Sequence, residues 1–203
     1  MKMSQSFKLE TWAKRFVRSF IMNSISSQRY FHNIEHTEFV VGKASQLANY
    51  YGLEGNSRTA VTVAAWFHDI GYCFSAMDHE SYSVNQALQF LNENQCPLEI
   101  KIMVEDLILS TRPPVSPSSL TQKIICDADM AHLGSPNYFM WSGLLKREVD
   151  HFSGNPVTLS QWNKQNIYFF QAHQYFTGYA NENWAPQKEK NLQELLHQVG
   201  TSC

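Results

Sequence analysis

His68 and Asp69 stand side by side at the end of an apolar run, in Trp66-Phe67-His68-Asp69-Ile70-Gly71-Tyr72. An imidazole and a carboxylate are both ligands for a divalent cation. Successive residues on a helix diverge by about 100°, so the two reach one ion only from a helix edge, near its end. Three other places carry ligand-type residues beside helix boundaries. His36 begins a helix after Tyr30-Phe31-His32-Asn33-Ile34-Glu35, Asp129 interrupts the buried stretch from Ile124 to Gly134, and His79-Glu80 opens a further helix. An ionised carboxylate is costly to bury unless it is paired or metal-bound. Asp129 therefore needs a partner, which a metal, a cap or an ion pair can supply. In a chain with 8 His, the doublet alone also reads as a core histidine beside a polar neighbour.

Helical periodicity runs through nearly the whole chain. Leu9, Trp12 with Ala13, Phe16 and Phe20 form a first stripe, and Val40, Ala44, Leu47 and Tyr51 a second, stopped by Gly52. Ser57 is a candidate cap for a third helix. Its run from Ala60 to Phe67 is apolar on nearly every side and so belongs in the middle of the fold. Val84, Ala87, Leu88 and Leu91 follow, then a helix with Pro97 in the first position. The loop Arg112-Pro113-Pro114-Val115-Ser116-Pro117-Ser118-Ser119 cannot be helix interior. Beyond it come Ile124 to Leu133, then Tyr138, Trp141, Leu145 and Val149, then Leu159, Trp162, Asn166 and Phe170, and finally Leu192 to Val199. The expected fold is all-α, a bundle of about eight or nine helices in a single domain over residues 1–203. Its metal-site core spans about 29–134, with C-terminal helices at about 135–200 packed on it.

Hydrophobic residues make up 43% of the 203 residues and charged ones 17%, which suits a globular core. A net charge of -2 gives no electrostatic footprint for a nucleic-acid polymer or an anionic membrane. Cys73, Cys96, Cys126 and Cys203 make no Cys-x-x-Cys and no regular framework. The N-terminal stretch to Phe20 interleaves Lys8, Glu10, Lys14 and Arg15 with apolar residues, unlike a signal peptide. A reduced, cytoplasmic protein is expected.

His36, then His68-Asp69 with the second His 32 residues on, then Asp129 a further 60 beyond Asp69, resembles the H…HD…D pattern of the HD-domain metal-dependent phosphohydrolases. The local words are similar too: Tyr30-Phe31-His32-Asn33-x-x-His36, Asp127-Ala128-Asp129, and His79-Glu80-x-x-Ser83. Leu144-Leu145-Lys146-Arg147-Glu148 and Tyr175-Phe176-Thr177-x-Tyr179-Ala180, with Lys188 and Asn191, resemble one branch of predicted HD phosphohydrolases. The likeness covers roughly Arg29 to Leu195.

This resemblance implies that His36, His68, Asp69 and Asp129 bind one divalent ion: Mn, Fe, Co or Mg, with zinc admissible. Asp129 rather than Asp127 is assigned by the family's Ala-Asp word; the two lie about 200° apart on a helix. Asp127 is left as a neighbour of the site or helix surface. The ion would polarise a phosphoryl group and activate a water as nucleophile. The expected reaction is hydrolysis of a small phosphate ester, with a nucleotide as the expected substrate. Asp69, His79 and Glu80 are the candidate catalytic residues, and Arg29, His32, Arg112, Arg147 and Lys188 (with Lys146) the candidate substrate-binding ones. Trp141, Trp162, Tyr175 and Trp184 read as core aromatics before base-stacking ones.

The sequence departs from two-metal branches, since Leu109-Ser110-Thr111-Arg112 stands where a second extra histidine is expected. No carboxylate follows the doublet closely, and Glu80 is the nearest candidate base. A regulatory module that holds a nucleotide without turnover is the alternative, and a di-iron oxygenase a more distant one. A homodimer is compatible with all three. His32-Asn33-Ile34-Glu35-His36 also fits the His-x-x-Glu-His zinc word of some proteases. With Asn33 as a helix cap, that reading leaves His68-Asp69 and Asp129 unexplained.

Overall fold

The computed structural model describes residues 5–200, with side chains from Lys8 onward. Among the described residues there is no strand. The described residues form ten α-helices and two short 3-10 turns, joined by loops: α1 (Gln5–Ser24), α2 (Ile34–Tyr50), α3 (Gly55–Phe67), α4 (His79–Glu93), α5 (Leu98–Leu109), α6 (Leu120–Asp129), α7 (Tyr138–Ser153), α8 (Leu159–Ala172), α9 (Gly178–Asn183) and α10 (Ala185–Gly200). The all-α expectation is borne out, with one helix more than the upper figure. The addition is α9, whose six residues are too few to display a helical period.

The chain forms two compact units, one of residues 5–26 with 32–129 and the other of 27–31 with 130–200. In the first, α3 packs against α1, α2, α4, α5 and α6. Every residue from Thr59 to Phe67 is buried, as a helix apolar all round requires. The α1 face against it is Leu9, Ala13, Val17 and Ile21, while Trp12 is 45% exposed. Phe16 stacks on Phe67 at 5.7 Å. Ser57 is not the cap of α3: the helix opens at Gly55, whose φ is +54°, after Glu54. Pro97 occupies the cap position of α5, one residue before the first turn.

In the second unit α8 and α10 pair around Leu133, Tyr138, Ile167, Phe170 and Leu195. Tyr175 and Trp184 are buried, in keeping with a core role. Glu148 on α7 is 2% exposed and accepts hydrogen bonds from Phe31 N at 2.8 Å and Arg29 Nη1 at 3.2 Å, which fastens segment 27–31 to this unit. No described helix is long and apolar enough to cross a membrane. Cys96 and Cys126 are buried, and Cys203 lies outside the described residues.

Candidate metal centre

Helix ends bring the ligand-type residues together. Asn33 caps α2, its Oδ1 accepting from Glu35 N at 3.0 Å and His36 N at 3.1 Å, so His36 sits in the first turn and is 1% exposed. The chain leaves α3 at His68, which keeps helical φ and donates its N–H to Ala64 O at 2.8 Å. At Asp69 φ and ψ become -111° and 4°, and a 3-10 turn from Ile70 to Cys73 follows. That change of direction at the helix end lets neighbouring side chains converge. Asp129 is the last residue of α6.

One ligand atom from each of His36, His68, Asp69 and Asp129 lies within 4.8 Å of the others. His36 Nε2 stands 3.3 Å from Asp69 Oδ2 and 3.4 Å from Asp129 Oδ1. The same two oxygens lie 3.2 and 3.6 Å from His68 Nε2. Asp127 is fully buried, so the helix-surface alternative for it is removed.

A divalent cation fits this set. His68 Nδ1 faces the carbonyl of Ala65 at 2.9 Å. A carbonyl only accepts, so Nδ1 carries the hydrogen and the neutral ring presents a lone pair at Nε2. That atom is buried, makes no hydrogen bond, and faces two carboxylate oxygens. A cation bound there would satisfy both the lone pair and the carboxylate oxygens. Metal–ligand bonds of about 2.0–2.2 Å put adjacent ligand atoms about 3 Å apart, close to the four imidazole–carboxylate separations. Two carboxylates match the charge of a divalent ion, and nitrogen with oxygen donors suits six-coordinate metals better than a thiolate zinc site.

Among themselves the four groups favour charged imidazoles facing charged carboxylates, so a bound ion would take the place of protons at Nε2. Burial disfavours charge on every member, yet contacts reverse it. Burial would lower His68 and His36, but the facing Asp69 and Asp129 raise His36 and hold His68 well above the usual imidazole value. Burial would raise Asp69 and Asp129, but the two imidazoles hold both below the usual carboxylate range.

The 3-10 turn also seats α4. Gly71 N donates to Ser83 Oγ at 2.9 Å, and a Cβ on Gly71 would lie 1.9 Å from His79 O. The glycine thus allows the α4 N-terminus to approach closely, and His79-Glu80-x-x-Ser83 acquires a physical meaning. His79 Nε2 comes 3.4 Å from Asp69 Oδ1, the carboxylate oxygen turned away from the imidazole pair, and 3.6 Å from Glu80 Oε1. Burial would lower His79, but Asp69 and Glu80 raise it. Glu80 is 4% exposed. Arg112 reaches it, Nε standing 3.6 Å from Glu80 Oε2, while Nη2 pairs with Asp78 and donates to Ser81 Oγ at 2.7 Å.

Tyr72 is a neighbour that sequence reasoning missed. Its ring stacks on His32 at 3.8 Å and on His79 at 4.1 Å, making a three-ring pile beside the ligands. The three rings come from separate segments, so no local pattern announces the stack. His32 and Arg112 thus belong to the unit that holds the cluster. The other substrate candidates belong to the second unit and have partners there. Arg29 pairs with Glu148 and covers the Phe152 ring, and Arg147 lies over Tyr30. Lys146 pairs with Asp150, and Lys188 donates to His173 O. A cleft of about 680 Å³ in the first unit, lined by Trp12, Asn56, Glu93 and Cys96 among others, includes none of the candidate site residues.

A protein-family model described as HD domain matches residues 33–133. No curated protein and no solved structure matches the chain.

Proposed function

The chain belongs to the HD-domain family through residues 33–133, and on that premise we propose that it is a metal-dependent phosphohydrolase acting on a small phosphate ester, with nucleotides as the first class to try. The observation that supports this reading best is the buried lone-pair face of His68 Nε2, set against two carboxylates without a hydrogen bond. His36, His68, Asp69 and Asp129 would hold the divalent ion. When bound, the ion supplies Lewis-acid polarisation of a phosphoryl group and acidifies water.

The protein's own part is positioning and proton handling. The Ala65 carbonyl fixes the His68 tautomer. Asp69 divides its oxygens, Oδ2 toward the two imidazoles and Oδ1 toward His79. His79, held by the Tyr72 ring, is placed to keep a proton at Nε2 between Asp69 and Glu80 and to hand it to the departing oxygen. Arg112, 41% exposed, adds positive charge on the same side and favours an anionic substrate. The pairing of Glu80 with Arg112 favours one second reading, a module that holds a nucleotide without hydrolysing it, because it occupies the nearest candidate base.

A screen of nucleotides, cyclic nucleotides and general phosphoesters with Mn, Co, Fe or Mg tests the proposal. His68→Ala and Asp69→Ala each lower kcat/KM by at least about a hundredfold, the scale of losing a metal ligand or its support. Full turnover in metal-stripped protein or in both variants rejects the enzyme. Ligand binding with no product across the whole panel selects the non-hydrolysing module.

A further inference from the structure

We propose that the cleft between α1, α3 and the turn from α4 to α5 binds a flat, uncharged heterocycle carrying an amino group, of the nucleobase or nucleoside kind. The site is separate from the candidate metal centre and independent of the metal reading. The cleft touches α3 in its first turns, at Asn56 and Thr59, and α4 at its end, at Glu93. His68 and His79 lie at the opposite ends of the same two helices. At 1.5 Å per residue, Thr59 to His68 is about 14 Å and His79 to Glu93 about 21 Å.

Three features of the cleft point to such a ligand. The first is a shaped apolar surface. The volume of about 680 Å³ falls within the range of about 300–1,000 Å³ usual for small-molecule sites, and buried Leu9, Cys96 and Ile100 line it. Trp12 lines it as well, yet is 45% exposed, and among the described residues no ring or cation packs on its indole. A planar ring laid there gains both burial and stacking. The second feature is the turn. Cys96 N donates to Leu91 O at 2.9 Å and Gln95 N to Asn92 O at 3.0 Å, the Schellman ending of a helix. That ending puts Gln95 at the left-handed position, with φ +51°, where glycine is usual because a Cβ is disfavoured. Gln95 accepts that strain and lines the cleft with an amide that makes no hydrogen bond among the described residues. Strain of this kind gathers at ligand sites. The third feature is the balance of polar groups. Asn56 Nδ2 donates to Glu99 Oε2 at 2.8 Å, and Asn94 Nδ2 donates to Phe90 O at 2.8 Å. Each amide keeps both lone pairs of Oδ1 but only one N–H. Spare acceptors therefore outnumber spare donors, which suits a ligand that donates from an exocyclic amine. Lys8 and Glu93 are the charged residues of the lining and have opposite signs, so the cleft favours neither an anion nor a cation.

Adenosine is the probe, titrated into metal-stripped full-length protein and followed by calorimetry and tryptophan fluorescence. One adenosine binds per chain and quenches part of the emission. Trp12→Leu abolishes that quenching and weakens binding by at least about tenfold, the scale of one lost stacking contact. Gln95→Gly removes the amide and the strained Cβ together, so it folds at least as stably as the wild type while binding at least about tenfold more weakly. Inosine, with a carbonyl in place of the exocyclic amine, binds more weakly than adenosine, and AMP binds no more tightly. Absence of saturable adenosine binding, wild-type affinity in either folded variant, equal binding of inosine, or tighter binding of AMP each overturns the inference. If Trp12→Leu does not fold, Gln95→Gly decides it. The metal reading stands after any of these results, because the titration contains no metal.

Discussion

Gly71 connects the ligand doublet to α4 through two contacts, the absence of a Cβ that would meet His79 O at 1.9 Å and the bond from its N–H to Ser83 Oγ. The backbone carbonyl cannot swing aside as a flexible side-chain end can, so Gly71→Ala must push α4 away. It is expected to cost about 1–3 kcal/mol, the usual range for overpacking, and to lower kcat because His79 moves with the helix. Ser83→Ala leaves the Gly71 N–H buried without its acceptor, at a cost of about 1–3 kcal/mol. Urea denaturation beside steady-state kinetics checks both, and wild-type stability with wild-type kcat in Gly71→Ala would refute the steric account. Cys126 tests the burial near the ligands independently. Burial pushes its thiol up to about 12, so at pH 8 almost no thiolate is present and iodoacetamide labels Cys126 only after denaturation; rapid labelling of the folded protein would contradict that. At this scale the ligand types were legible from sequence, because His68-Asp69, His36 and Asp129 are each next to a helix boundary. Tyr72 and the role of Gly71 were not, since both depend on how α4 returns to the doublet.

The elements that carry the site were readable where apolar character had a clear period or lacked one. α3 is the best case: the run from Ala60 to Phe67, read as apolar on nearly every side, is buried throughout, with Thr59 before it. Details that depend on packing were missed. The buried face of α1 runs through Val17 and Ile21, because the apolar residues of α1 cover more than one face and only its neighbours select among them. On α8, Leu159 is 64% exposed while Asn163 is buried with its amide donating to Gln198. α7 carries an element-level prediction through Glu148, whose word resembled one branch of the family and whose carboxylate holds segment 27–31 by Arg29 and the Phe31 N–H. Glu148→Ala removes one acceptor from a guanidinium whose side chain is only 9% exposed and one from a backbone N–H. The expected loss is about 3–5 kcal/mol, as for breaking a buried ion pair, read by denaturation. Loss below about 1 kcal/mol would mean that the segment is fastened by other contacts.

For the molecule as a whole, an ion held by the His36, His68, Asp69 and Asp129 cluster would be a folding element as well as a chemical one. The four residues come from α2, the end of α3 and the end of α6, so a single ion there would tie together parts of the chain far apart in sequence. The unfolded chain offers no such preformed set, and an ion that binds only the folded state stabilises it by mass action, about 2.7 kcal/mol at a free concentration one hundred times Kd. For a chain of this size about 1 kcal/mol corresponds to about 2–4 °C, so saturating Mn²⁺ should raise Tm by roughly 5–10 °C over the chelated protein. The shift should fall to near zero in His68→Ala. That variant also loses the Nδ1 contact to Ala65 O and the imidazole that faces the two carboxylates, so the chelated variant is itself less stable than the chelated wild type. Calorimetric scans of both proteins, with Mn²⁺ and with chelator, separate the two contributions. An equal metal-induced shift in wild type and variant would place the stabilising ion elsewhere, and no shift in either would remove the metal from the folding of this domain.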